Sequence, residues 1–124
     1  ELALSDVYPK YKLTMIDFWA GWCGPCRSFN PTLLEYYNKY NEHGFGILGV
    51  SLDSEEKVWL DAIRDDKLSW EQVSDLQYWE SAPAAAYYIR SIPSNVFVDS
   101  EGKIIKRKVG RGEMEEFIKE HLGL

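Results

Sequence analysis

Apolar residues fall in blocks along this chain, and the spacing inside each block names an element. Lys12 to Trp19 is mostly apolar, which predicts a strand buried on both faces. Phe29, Leu33, Tyr36, Tyr37 and Tyr40 then recur at steps of three and four, one stripe of a helix that starts near Gly24 and runs to about Tyr40. Pro31 falls inside that helix, where it removes a backbone donor and should kink the axis. Gly44 is a suitable stop, and Phe45 to Leu52 reads as a second buried strand. Asp53 and Ser54 are expected to cap a helix with Val58, Trp59, Ala62 and Ile63 on one face. Upstream, Leu2 to Tyr8 is weakly helical and Pro9 is expected to end it.

The second half is less regular. Leu68 to Leu76 fits either a short edge strand or a loop around Trp70 and Val73. Ser81-Ala82-Pro83 opens a short helix, since proline suits a first turn, with Ala84 to Tyr88 as its body. Ile92-Pro93 precedes a strand from Asn95 to Val98. Asp99 to Gly102 forms a turn, and Lys103 to Val109 pairs back as a hairpin. Gly110 to Gly112 leads into a last helix that should turn Met114, Phe117, Ile118, His121 and Leu122 inward. Strands joined through helices run parallel, and the tight turn at Gly102 adds an antiparallel pair. The expected class is α/β, a mixed sheet with helices on both faces.

Length and charge narrow the possibilities. The 124 residues suit one domain, and 45% apolar residues with 15% aromatics supply a core. A net charge of −6 without a basic stripe argues against nucleic acid and against anionic membrane surfaces. No apolar run approaches the ~20 residues of a membrane span. The chain begins at Glu1 without a charged-then-apolar leader, as a mature form or an excised domain would.

The candidate chemistry lies at Trp22-Cys23-Gly24-Pro25-Cys26, between the first strand and the first helix. Cys23 and Cys26 are the only cysteines. A thiol just before a helix N-terminus meets unpaired N–H groups and a positive dipole end, which favour a nucleophilic thiolate. A second thiol one turn on can attack a mixed disulfide and release the partner. Pro25 can start a helix at no hydrogen-bonding cost, and Gly24 permits close approach. Other readings compete. A structural disulfide would close a loop too short to restrain the unfolded chain much. Zinc needs two more ligands, and only His43 and His121 are available. A Cu(I) site is conceivable, although neither Met15 nor Met114 adjoins the motif in sequence. Asp17 interrupts the first buried strand, where a carboxylate is costly unless it is satisfied or used.

Asp17-Phe18-Trp19-Ala20-Gly21-Trp22-Cys23-Gly24-Pro25-Cys26 resembles the active-site segment of the thioredoxin superfamily. Pro31, Ile92-Pro93, Ser51-Leu52-Asp53, the segment from Ser54 to Arg90, Asp99 to Lys103, and Gly110 are similar to its TlpA/ResA-like branch, grouped with AhpC/TSA proteins. The resemblance implies a thioredoxin-like fold with a TlpA-like insertion before a cis-proline at Pro93. It implies a thiol-disulfide oxidoreductase, leaning towards reduction of protein disulfides. Cys23 would attack, Cys26 would resolve, and Asp17 would relay a proton. Trp22, Gly24, Pro25, Ile92 and Pro93 would meet the substrate, with the Trp22 ring over Cys23.

The same resemblance implies no cofactor beyond the redox-active disulfide Cys23–Cys26, and partners that are disulfide-containing clients and a thiol electron donor. A monomer in the periplasm or cell envelope is expected. So is a C-terminal position in a longer protein whose anchor, outside this chain, would supply any membrane contact. Two departures stand out. Minimal thioredoxins carry a lysine near Asp17 on the next strand, whereas Gly46 to Val50 has none, so burial should raise the Asp17 pKa. ResA-like cytochrome-maturation proteins carry a glutamate at the position of Phe29, which weakens assignment to cytochrome c maturation. A thiol peroxidase, also grouped with AhpC/TSA, would need Thr or Ser where Ala20 stands. Tyr78, Trp79, Tyr87 and Tyr88 are expected mainly in the core, with a partner-binding surface as the alternative.

Overall fold

A computed structural model describes residues 4–124. Leu2 lies outside the described residues. The segment after it is two 3₁₀ turns, Leu4–Asp6 and Tyr8–Lys10, and Pro9 sits inside the second instead of ending a helix. Five strands follow: β1 (Leu13–Trp19), β2 (Phe45–Ser51), β3 (Glu71–Ser74), β4 (Ser94–Asp99) and β5 (Ile104–Arg107). The sheet order is β3-β2-β1-β4-β5. β2 runs parallel to both β1 and β3, while β4 runs antiparallel to β1 and β5. β1 is the central strand, and all seven of its residues are buried.

Alternation along β1 separates two cores. Leu13, Met15 and Trp19 pack with Phe45, Ile47 and Phe97 on one face. Ile16 and Phe18 pack with Leu48, Val50, Val96 and Val98 on the other. The first face is covered by α1 (Gly24–Tyr40), α2 (Glu56–Asp65) and α4 (Arg111–Leu122), through Phe29, Leu33, Ala62, Met114 and Ile118. The second is covered by Val7 and by Ala84 of α3 (Ala82–Ala86). The expected helices on both faces are therefore present. Asp17 shares the first face by parity, under α1.

Local signals explain most boundaries. Gly44 takes the left-handed conformation, φ 106°, after α1 and a 3₁₀ turn at Asn41–His43. The Ser81 hydroxyl accepts the Ala84 N–H and caps α3. The ambiguous Leu68 to Leu76 stretch resolves into the edge strand β3. Two expectations are corrected. The residue preceding α2 is Glu55, whose side chain makes no cap, and Asp53 points inward instead. His121 faces solvent, stacked on Phe117 with ring centroids 4.1 Å apart. Burial of Met114, Ile118 and Leu122 already fills the inner stripe of α4.

Candidate active site

Cys23 ends the β1–α1 loop as the N-cap of α1, with φ −89° and ψ 107°. Its Sγ accepts the Cys26 N–H at 3.3 Å, and the two cysteines form a disulfide with Cα atoms 5.3 Å apart. Gly24 and Pro25 form the first positions of the helix, where a missing N–H leaves nothing unpaired. Cys23 is 4% exposed and Cys26 2%. The difference in burial is slight, and what separates them is position. Cys23 lies ahead of the helix, where N–H groups and the dipole stabilise a thiolate, and Cys26 lies within its first turn.

The loop before the motif is held by a residue whose role the sequence did not reveal. Asp53 is fully buried, and both its carboxylate oxygens accept the Gly21 N–H, at 2.9 and 3.1 Å. The Ser51 hydroxyl donates to the same carboxylate at 2.5 Å. From the other side, Arg27 donates to the Gly21 carbonyl at 3.0 Å and pairs with Asp66 through two hydrogen bonds. Asn30 adds a third bond to Asp66. Burial opposes ionisation of Asp66, yet the Arg27 and Asn30 bonds hold its pKa below the usual carboxylate value. Gly21 is thus fixed at both its N–H and its carbonyl, one residue before Trp22.

Asp17 is 4% exposed, and among the described residues it has no hydrogen-bonding or ionic partner. Burial pushes its carboxyl from 3.8 up to about 7. Its neighbour on β2 is Gly49, over which the Gln72 amide lies. Gln72 Oε1 accepts the Trp19 indole N–H at 3.0 Å. No lysine reaches Asp17 from that side.

On the other side Asp17 pairs with Asn95. The Asn95 side chain makes two bonds to the Val109 backbone, at 2.9 and 3.0 Å, and so fixes the strand-to-helix segment opposite α1. Between them lies a cavity of about 300 Å³, lined among others by Asp17, Phe29, Pro93, Lys108 and Arg111. Met15 and Met114, remote from the motif in sequence, line it too. Arg111 spans from α4 to the motif: its guanidinium stacks 4.4 Å over the Phe29 ring and donates to the Pro25 carbonyl at 3.0 Å. The Ile92–Pro93 bond is cis, as expected. Ile92 packs against the core cluster that holds both cysteines.

Trp22 does not fill the core. It is 46% exposed and lies against Tyr78, with centroids 5.6 Å apart. Tyr78 in turn meets Trp79 edge-on at 5.8 Å, and Trp79 is 40% exposed. Tyr88 is exposed as well, and only Tyr87 packs inward, against Phe18. The core expectation for these aromatics thus holds for one of the four.

A helix-capping dithiol, with a buried, proton-holding carboxyl on the sheet face that the same helix covers, is an arrangement able to exchange thiols for a disulfide. Comparison with known proteins agrees. Residues 11–104 match the family model described as thioredoxin-like. The chain belongs to the thioredoxin-like family. It is 25% identical over 116 residues to the thiol-disulfide oxidoreductase ResA of Bacillus cereus, covering 94% of this chain. The chain spans only 64% of that protein's length. The thioredoxin domain of a thiol-disulfide oxidoreductase from Bacteroides vulgatus superposes with a TM-score of 0.86 at 33% identity, covering 98% of this chain and 85% of that one. A thiol-disulfide oxidoreductase from Bacteroides fragilis gives 0.82 at 34% identity, covering 88% and 80%.

Proposed function

We propose that this domain is a thiol-disulfide oxidoreductase that reduces disulfides of client proteins. The position of Cys23 as N-cap of α1, disulfide-bonded to Cys26, carries the reading. In the reduced domain the Cys23 thiolate attacks one sulfur of a client disulfide. A bond forms between Cys23 and the client, and the other client sulfur leaves as a thiolate that takes up a proton. Cys26 then loses its proton and attacks Cys23 Sγ, which releases the second client thiol. The client gains two electrons and two protons, and the domain ends as the Cys23–Cys26 disulfide. A dithiol donor returns it to the reduced form by the same steps in reverse.

Asp17 is the acceptor for the Cys26 proton. A carboxyl that titrates near neutrality inside the protein can take and return a proton at working pH. We assign client-backbone binding to Trp22, Gly24 and Pro25 of the motif and to Ile92 and Pro93 of the cis-proline segment. The Trp22, Tyr78 and Trp79 rings extend that surface. Among the described residues no helix is long and apolar enough to cross a membrane. We assign the domain to the cell envelope, as part of a longer protein, on the likeness to its relatives. Insulin-disulfide reduction tests the activity: the Cys23→Ser variant should lose it. Full activity in that variant would refute the proposal.

A further inference from the structure

The two flanks of the motif differ in charge. On the Trp22 side, a small crevice is bordered by Asp53, Ser54, Glu55 and Val58. On the Pro93 side, the cavity carries Lys108 and Arg111 at its rim, although the chain as a whole has a net charge of −6. Neither cation has a carboxylate partner among the described residues. Glu113, the nearby acid of α4, accepts the Gly110 N–H and lies 3.6 Å from Lys106.

Arg111 is also held in place before any ligand arrives. Its stacking on Phe29 and its bond to the Pro25 carbonyl use one face and one N–H, and leave further donors free. Asn95 likewise fixes the Lys108 backbone, which takes φ 53° and donates to the Asn95 carbonyl at 2.9 Å. The Arg111 guanidinium, anchored in this way, loses little freedom on meeting an anion, while at Lys108 it is the backbone that is fixed. Asp17 also lines the cavity; it is neutral below its pKa of about 7 and does not oppose an anion there, whereas above that pH its charge does.

We propose that this cavity is a specificity subsite for an acidic client residue beside the cysteine under attack, with Arg111 and Lys108 receiving its carboxylate. This rests on the exchange reading proposed above. The commitment to a client side chain follows from continuity with the motif: Pro93, assigned above to the client backbone, lines the cavity, and Arg111 touches Pro25 at the motif itself. Its apolar walls, Met15, Phe29 and Met114, accept the methylene part of the side chain.

The test uses three disulfide-bonded peptides that differ only in the residue next to the cysteine: Glu, Gln or Lys. Wild type should show kcat/KM about fivefold higher for the Glu peptide than for the Lys peptide, a preference that shrinks at high salt. Lys108→Glu, which touches neither Pro25 nor Phe29, should abolish or invert the preference. The pair Lys108→Gln and Arg111→Gln should level it. The ratio between peptides is the readout, so a uniform loss of rate in the Arg111 variant does not disturb it. Equal kcat/KM for all three peptides in wild type would overturn the subsite, as would a ratio unchanged in the variants. If no peptide is reduced, including the Gln peptide, the exchange reading itself fails.

Discussion

Replacing Asp17 by asparagine gives a quantitative test of the buried carboxyl. The side chain keeps its shape and loses its charge. Asp17 titrates at about 7 in the folded protein, against an ordinary value of 3.8, because burial excludes it from water. Between those values the folded chain keeps a proton that the unfolded chain has lost. Stability therefore falls as pH rises through this window, is unpenalised below 3.8, and carries the whole cost above about 7. That cost is about 4 kcal/mol, from roughly three pH units at 1.36 kcal/mol each. The neutral amide of the variant carries none of it. Urea denaturation of the oxidised forms should find Asp17→Asn gaining on wild type from pH 4 to pH 8, by up to about 4 kcal/mol. Parallel stability curves for the two proteins would refute the argument. The same variant should slow release of client from the Cys23 mixed disulfide, since the Cys26 proton loses its acceptor.

Three further predictions concern the frame of the site. A methyl group added at Gly21 would lie 2.7 Å from the Val58 carbonyl and 3.2 Å from the Ala62 Cβ, so Gly21→Ala should cost about 1–3 kcal/mol in thermal or urea unfolding. Asp53→Ala removes the acceptor for the Gly21 N–H and the Ser51 hydroxyl, and should destabilise by about 1–3 kcal/mol and lower the insulin-reduction rate; Asp53→Asn, which retains an acceptor, should lose less. Asp66→Ala strands Arg27 and Asn30 at a half-buried site and should lower stability by about 2 kcal/mol at pH 7. That difference should shrink in acid, as Asp66 is protonated in wild type.

Much of this architecture was legible because the strongest burial coincided with the clearest patterns. β1 and β2 are buried along their whole length, and their sequences are correspondingly apolar. α1 shows its stripe at the expected spacing, with Pro31 inside it. β3 was illegible because each of its four residues is only half-buried, so no alternation develops. Asp53 misled for a physical reason: an acidic residue and a serine ahead of a helix have the composition of a cap, and only the fold brings Gly21 to that carboxylate. His121 has the right period for burial, but Met114, Ile118 and Leu122 fill the inner stripe of α4 and the imidazole lies outside it against Phe117. The dithiol, Asp17 and Ile92-Pro93 were visible as a motif set. The cavity was not, since it joins residues from β1, α1, the Pro93 loop and the start of α4. Exposure of Trp22, Tyr78 and Trp79 was equally hidden, because aromatic content does not distinguish a core from a binding face.

The measurement that bears most directly on the account is the identity of the attacking sulfur. Reduced Cys26→Ala and Cys23→Ala variants are each mixed with a disulfide-bonded peptide, and the adducts are followed by mass spectrometry. The account predicts rapid formation of a stable mixed disulfide at Cys23 in the Cys26→Ala variant. It predicts slow reaction at Cys26 in the Cys23→Ala variant, where the thiol lies inside the helix and away from the client. Equal rates at the two cysteines, or faster capture at Cys26, would contradict it.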